Sequence, residues 1–208
     1  NYFFYLATPP SLFADVAGST ALSERLDPEE AKLVIGEAIA RAIQAVEAYG
    51  GSVNNLMGDG LLALFGAPVA HEDDPERAVR AGLDIIAAAR DYAEEVRRGW
   101  GVEDFAMRVG IHSGEVVVGQ VGAGGRTEYG VVGDTVNTTA RLQGAADRNG
   151  VLASESPQRP VRTRVCRGEA RPLALTGTAH VVTPSPVCRA HASAFRRRPG
   201  SATTPGAG

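Results

Sequence analysis

Lysine is nearly missing from this chain: Lys32 is the only one, and the other twenty basic residues are arginines. A site that needs a lysine elsewhere must do without it. Cysteine is scarce as well. Cys166 and Cys188 lie late in the sequence with no metal-ligand spacing, which argues against a disulfide framework and a zinc site. No apolar run approaches the roughly 20 residues that a bilayer span requires. The first residues also lack a basic stretch followed by an apolar one and a small-residue cleavage site. The chain therefore reads as soluble and cytoplasmic, with no membrane segment and a reducing interior as its setting. With 208 residues, 44% of them apolar, it is long enough for one substantial core.

Charge is uneven along the chain. Residues 157–208 hold nine arginines against one acid, Glu169, together with seven of the twelve prolines. Residues 1–156 hold twelve basic and twenty-three acidic residues, a balance of −11. The late segment reads as a divergent, partly disordered tail. Phe195 is its only aromatic residue, so the aromatic interleaving typical of nucleic-acid surfaces is absent, and no nucleic acid is expected as a partner.

Residues 1–10 are aromatic and end in Pro9-Pro10, and they read as a leader before the fold. A short strand through Leu12-Phe13-Ala14 ends at Asp15, and Gly18-Ser19-Thr20 supplies a turn and a helix cap. From Pro28, apolar residues recur at Ala31, Val34, Ile35, Ala38, Ile39, Ala42, Ile43 and Val46, the face of a helix that stops at Gly50-Gly51. Val53–Met57 and Leu61–Phe65 flank Gly58-Asp59-Gly60, a hairpin signal that puts Asp59 at the tip. A second helix runs from Asp74-Pro75 to about Arg98, with His71-Glu72-Asp73-Asp74 read as its polar capping loop. Strands at Phe105–Ile111, Glu115–Gly119 and Tyr129–Val132 follow, with a turn at Ser113-Gly114. A third helix spans Thr135–Ala146, and a last strand covers Val151–Ala153. His112, at the end of a strand, reads as structural. This order points to an α+β fold with helices on one face of a mostly antiparallel sheet.

Two acids carry the chemistry. Asp15 ends one strand and Asp59 sits at a neighbouring hairpin tip, so the topology lets them share a cation. Hard divalent ions prefer carboxylate oxygens and take substrate phosphates as further ligands. The loop from Val16 to Thr20 offers backbone N–H groups to a triphosphate. Taken singly, Asp-Gly is an ordinary turn and Gly-Ser-Thr an ordinary cap.

Four segments together say more. They are Phe13-Ala14-Asp15-Val16-Ala17-Gly18-Ser19-Thr20, Met57-Gly58-Asp59-Gly60-Leu61-Leu62-Ala63-Leu64-Phe65-Gly66, Arg108-Val109-Gly110-Ile111-His112-Ser113-Gly114, and the run from Tyr129-Gly130 through Gly133-Asp134-Thr135-Val136-Asn137 to Arg141-Leu142. In this order they resemble the catalytic domain of the class III nucleotide cyclases over residues 11–156. The resemblance implies a ferredoxin-like βαββαβ unit whose sites form between two domains of a homodimer. It implies two Mg²⁺ or Mn²⁺ ions per site at Asp15, Val16 and Asp59, and triphosphate contacts from Gly18, Ser19, Thr20 and Arg108. From the partner subunit, Asn137 positions the ribose and Arg141 stabilises transition-state charge. ATP is the expected substrate and cyclic AMP the product, with GTP as the alternative. Asn55 and Gly130 hold the purine-reading positions, where adenylate-forming members carry lysine and aspartate or threonine. Thr176 and Thr178 replace the two lysines of a late Lys-Gly-Lys segment. Those four residues motivate a second reading, a cyclase-like nucleotide-binding module with little turnover.

Overall fold

The computed structural model describes residues 4–7, 9–67, 69–121, 128–132, 134–154 and 179–182. The strands are β1 (Phe4–Ala7), β2 (Pro10–Val16), β3 (Ser52–Met57), β4 (Gly60–Leu64), β5 (Met107–Ser113), β6 (Val116–Val121), β7 (Glu128–Val132), β8 (Gly150–Ser154) and β9 (Ala179–Val182). The helices are α1 (Ser19–Arg25), α2 (Pro28–Ala48), α3 (Asp74–Trp100) and α4 (Asp134–Ala145).

Six strands form the main sheet in the order β3-β4-β2-β5-β8-β9. Every pair in it is antiparallel except β5 with β8. Period-two alternation divides β2 and β5 between two faces. Leu12, Ala14, Val16, Met107, Val109 and Ile111 point into the main core with the buried stripes of α2 and α3. Gly82 lets α3 approach closely, since a Cβ there would lie 3.2 Å from Ile111 and 3.3 Å from Val109. Arg41 closes the outer edge of the helix pair. It stacks over Tyr92 at 4.4 Å and bonds Glu95 through two nitrogens at 3.0 and 2.9 Å.

The opposite face carries Phe13, Asp15, Arg108, Gly110 and His112, and α4 packs there. Its Leu142 and the following Ala146 form a small second cluster with Leu152 of β8. The α+β class and the mostly antiparallel sheet match the sequence expectation, but the helices occupy both faces. Gly110 is the reason: a Cβ at this residue would lie 2.5 Å from Thr139 O and 2.8 Å from Gln143 Cα. The bare strand position lets a second helix sit directly on the sheet.

Residues 4–7, expected to be leader, instead form β1, which pairs antiparallel with β6. Pro10 does not block this, because it opens β2, and the first residue of a strand tolerates a missing N–H. Nor does the turn at Ser113-Gly114 close a hairpin: β6 leaves the main sheet and joins β1 and β7 in a second sheet of three strands. In the late segment, β9 adds an edge to β8. Cys166, Cys188, Thr176 and Thr178 lie outside the described residues.

Candidate active site

The register places the first of the two acids. Asp15 pairs with Gly60 on β4 and with Arg108 on β5. Gly60 follows Asp59 and has no room for a side chain, since a Cβ there would lie 2.8 Å from Ala14 O and 3.1 Å from Asp15 Cβ. The tip therefore closes onto the end of β2. Val16 N donates to Asp59 O at 2.9 Å, and Ser19 Oγ donates to Asp59 Oδ2. Asp15, Val16, Asp59 and Ser19 are thus brought together by two hydrogen bonds and one ladder.

Gly18 caps α1 in the left-handed conformation at φ 80°, where a side chain would be strained. No side chain caps this helix. Ser19, expected to act as a cap, turns its hydroxyl to the hairpin tip instead. Gly18 and Thr20 are exposed. The cavity beside this loop, lined in part by Gly18, Leu22, Phe105 and Arg148, holds about 60 Å³. Pockets that enclose small ligands run to roughly 300–1,000 Å³, so this cavity does not by itself hold a nucleotide.

Asp15 is electrostatically unusual. Burial pushes its carboxyl above the ordinary carboxylate value. The Arg108 guanidinium opposes the shift, and the neighbouring charge of Asp59 reinforces it. Arg108 Nε lies 3.6 Å from Asp15 Oδ1, close enough to pair in charge, yet neither atom has a hydrogen-bond partner. Arg108 Nη1 donates to Gly144 O of α4 at 3.4 Å. Two adjacent carboxylates at a strand end suit a hard divalent cation. Asp15 and Asp59, with Val16 beside them, fit that role. Among the described residues no cluster of three or more His, Cys, Asp or Glu competes for it.

Asn137 and Arg141 are not part of this group. Both are exposed on α4, four residues apart, whereas Thr135, Thr139, Leu142 and Gln143 are buried. On a helix of 3.6 residues per turn, the exposed pair lies opposite Thr139 and Gln143, which pack toward β5. Asn55 lies on β3 opposite Leu62, so β4 separates it from β2, and it too is exposed. Gly130 lies on β7 opposite Gly119, and β7 touches β3. His112 Nδ1 meets Ser154 Oγ across the β5 and β8 strand ends, and burial holds its ring below the usual imidazole value.

One residue in this region escaped the sequence reading. Gln143 is 6% exposed, its Nε2 has no hydrogen-bond partner, and it packs beside Asp15. A glycine between Val109 and Ile111 in a strand was the available signal of a close helix.

Fold and site together define a domain of the nucleotide cyclase type, with paired acids at a strand end and an exposed Asn/Arg pair on a separate helix. The chain belongs to the family of adenylate and guanylate cyclase catalytic domains, whose model matches residues 11–174. It is 36% identical over 146 residues to "Adenylate cyclase 1" of Rhizobium meliloti (strain 1021), covering 69% of this chain and 22% of that protein. It is 30% identical over 150 residues to "Adenylate cyclase" of Anabaena cylindrica, covering 70% of this chain and 29% of the relative. The chain thus spans about a quarter of the length of these relatives. Among solved structures, that of the guanylyl cyclase Cya2 superposes with a TM-score of 0.76 at 34% identity, covering 85% of this chain and 90% of that one.

Proposed function

We propose that this domain is an adenylate cyclase, converting ATP to 3′,5′-cyclic AMP and pyrophosphate at sites shared between two copies of the chain. The ribose 3′-oxygen forms a bond to the α-phosphorus while the bond from that phosphorus to the bridging oxygen breaks. The hydroxyl proton passes to solvent, and pyrophosphate leaves with the bonding pair. Two Mg²⁺ or Mn²⁺ ions, held by Asp15, Val16 and Asp59, would supply the charge that stabilises the 3′-oxygen and the triphosphate. Arg108 and the loop of Gly18, Ser19 and Thr20 take the phosphates. Asn137 orients the ribose, and Arg141 meets the charge that develops on the α-phosphate, a task suited to a permanently charged guanidinium.

The observation that carries this reading is the separation within one chain. Asp15 of β2 lies on the side of Gln143, on the buried face of α4, while Asn137 and Arg141 occupy the opposite, exposed face. This separation supports a site completed by a second copy. The adjoining β3 presents Leu56 at 56% and Met57 at 36% exposure, apolar surface that an apposed copy would cover. Asn55, on the same strand, can read a purine through its side-chain amide. The preference for ATP draws on the sequence relatives named adenylate cyclases.

The test is a product assay. The chain is incubated with Mn²⁺ and either ATP or GTP, and the cyclic product is quantified by chromatography. Cyclic AMP is expected from ATP, with less product from GTP and none from Asp15→Ala. Absence of any cyclic product from the unmodified chain would favour the reading as a binding module with little turnover.

A further inference from the structure

Four buried side-chain polar atoms lack a hydrogen-bond partner among the described residues, and three of them belong to one cluster: Asp15 Oδ1, Arg108 Nε and Gln143 Nε2. The fourth, Ser11 Oγ, lies elsewhere on β2. Buried polar atoms without partners are uncommon, and each calls for a reason. Here geometry supplies one. Gly110 is two residues from Arg108 and on the same face of β5, and the missing Cβ at Gly110 brings the backbone of Gln143 directly onto the strand. The next residue, Gly144, accepts from Arg108 Nη1 at 3.4 Å. Arg108 is in turn the cross-strand partner of Asp15. The Gln143 end of α4 therefore sits over the pair formed by Asp15 and Arg108.

We propose that Gln143 is a positioning residue for the metal site: from α4, its amide braces the sealed Oδ1 of Asp15 while Arg108 braces the same oxygen from β5. Oδ1 is shut off from solvent, although the Asp15 side chain is 19% exposed as a whole. The bracing thus leaves the rest of the carboxylate to face a divalent cation. In keeping with this, the nearby amide favours the charged form of Asp15 and partly offsets the opposing effect of burial. Arg108 Nε stands 3.6 Å from Oδ1, and among the described residues Gln143 Nε2 has no other hydrogen-bond partner to draw it away. Residues that orient metal ligands from behind act in this way in metal sites generally. The same helix carries Asn137 and Arg141 on its other face, so α4 supports the metal site of its own chain and serves the neighbouring one. The inference rests on the reading of Asp15 as a metal ligand, and its test separates the two.

Mn²⁺ affinity is measured by electron paramagnetic resonance of free Mn²⁺ on the full 208-residue chain, its Asp15→Ala variant and its Gln143→Met variant. Methionine keeps the volume and helix propensity of glutamine and removes the amide. The expected result is an approximately tenfold weaker Mn²⁺ affinity for Gln143→Met. Its melting temperature should be unchanged or higher, because an unpaired buried amide has been removed. A merely structural glutamine would give the opposite pattern, lower melting and unaltered affinity. Affinity within twofold of the unmodified chain, with Asp15→Ala clearly weakened, overturns the role of Gln143. Unaltered affinity in Asp15→Ala overturns the metal reading itself. Should Gln143→Met not fold, Gln143→Asn, which draws the amide back by one methylene, is expected to show the same loss, and undiminished affinity there also overturns the proposal.

Discussion

Gly110→Ala is the sharpest perturbation the fold offers. A Cβ at this position would lie 2.5 Å from Thr139 O, 2.8 Å from Gln143 Cα and closer still to Gln143 N, all backbone atoms of α4. Ordinary carbon contacts fall at about 3.5–4.0 Å, so α4 must retreat by roughly an ångström, and no side chain can rotate away to absorb the clash. Overpacking of this kind costs about 1–3 kcal/mol, which for a domain of this size lowers the melting temperature by roughly 2–12 °C. The functional loss should be larger in proportion, because a 1 Å displacement of positioning groups can cost on the order of a hundredfold in rate. Both effects are read on one preparation, by thermal denaturation and by the product assay. Gly36→Ala is the control. Gly36 is an exposed residue inside α2, and a methyl group added there would meet nothing within 4 Å, so alanine should stabilise by about 0.5–1 kcal/mol and leave activity unaltered. A Gly110→Ala protein with the original stability and rate would refute the close seating of α4.

Two further outcomes follow from the electrostatics. Because burial raises the Asp15 carboxyl in the folded chain, the metal-free protein binds more protons than the unfolded chain between the ordinary carboxylate value and the raised one, so its stability falls as pH rises through that window. Asp15→Asn removes this cost. Denaturant titration should show the variant gaining on the parent as pH rises from acid to neutral, with a constant difference above the window, and a parallel pH dependence in both proteins would contradict the assignment. Arg41→Ala removes the stack on Tyr92 and the paired contacts to Glu37 and Glu95. A loss of about 1–2 kcal/mol in thermal denaturation is expected, with cyclase activity retained.

The strands and helices that hold the site were legible because each announces itself locally. Pro28 and Pro75 open helices, the stripe from Ala31 to Val46 has helical period, and Asp59-Gly60 turns between two apolar runs. What escaped was non-local. The pairing of β1 with β6 joins residues more than a hundred positions apart, and the aromatic start followed by Pro9-Pro10 looked like a stop where it is a junction between two strands. The second face of the sheet was hidden for the same reason: hydrophobic period shows that α4 has a buried side, and only the bare Gly110 hints at which surface receives it. In the candidate site, Asp15 and Asp59 could be paired from topology, and the family resemblance gave Asn137 and Arg141 their roles. Gln143 carried no such mark, since a polar residue in a helix ordinarily faces water.

The shared-site arrangement is tested most directly by mixing two inactive variants. Asp59→Ala spoils the acid pair of its own copy, and Arg141→Ala spoils the helix it offers to its neighbour. In a mixed dimer, one site receives both defects and the other receives none. Each variant alone should form no cyclic AMP, and an equimolar mixture should recover up to about a quarter of the original rate if the copies exchange at random, since half of the dimers are then mixed and each has one of two sites intact. No recovery, with mixed dimers shown to form, would contradict the claim that two copies build each site.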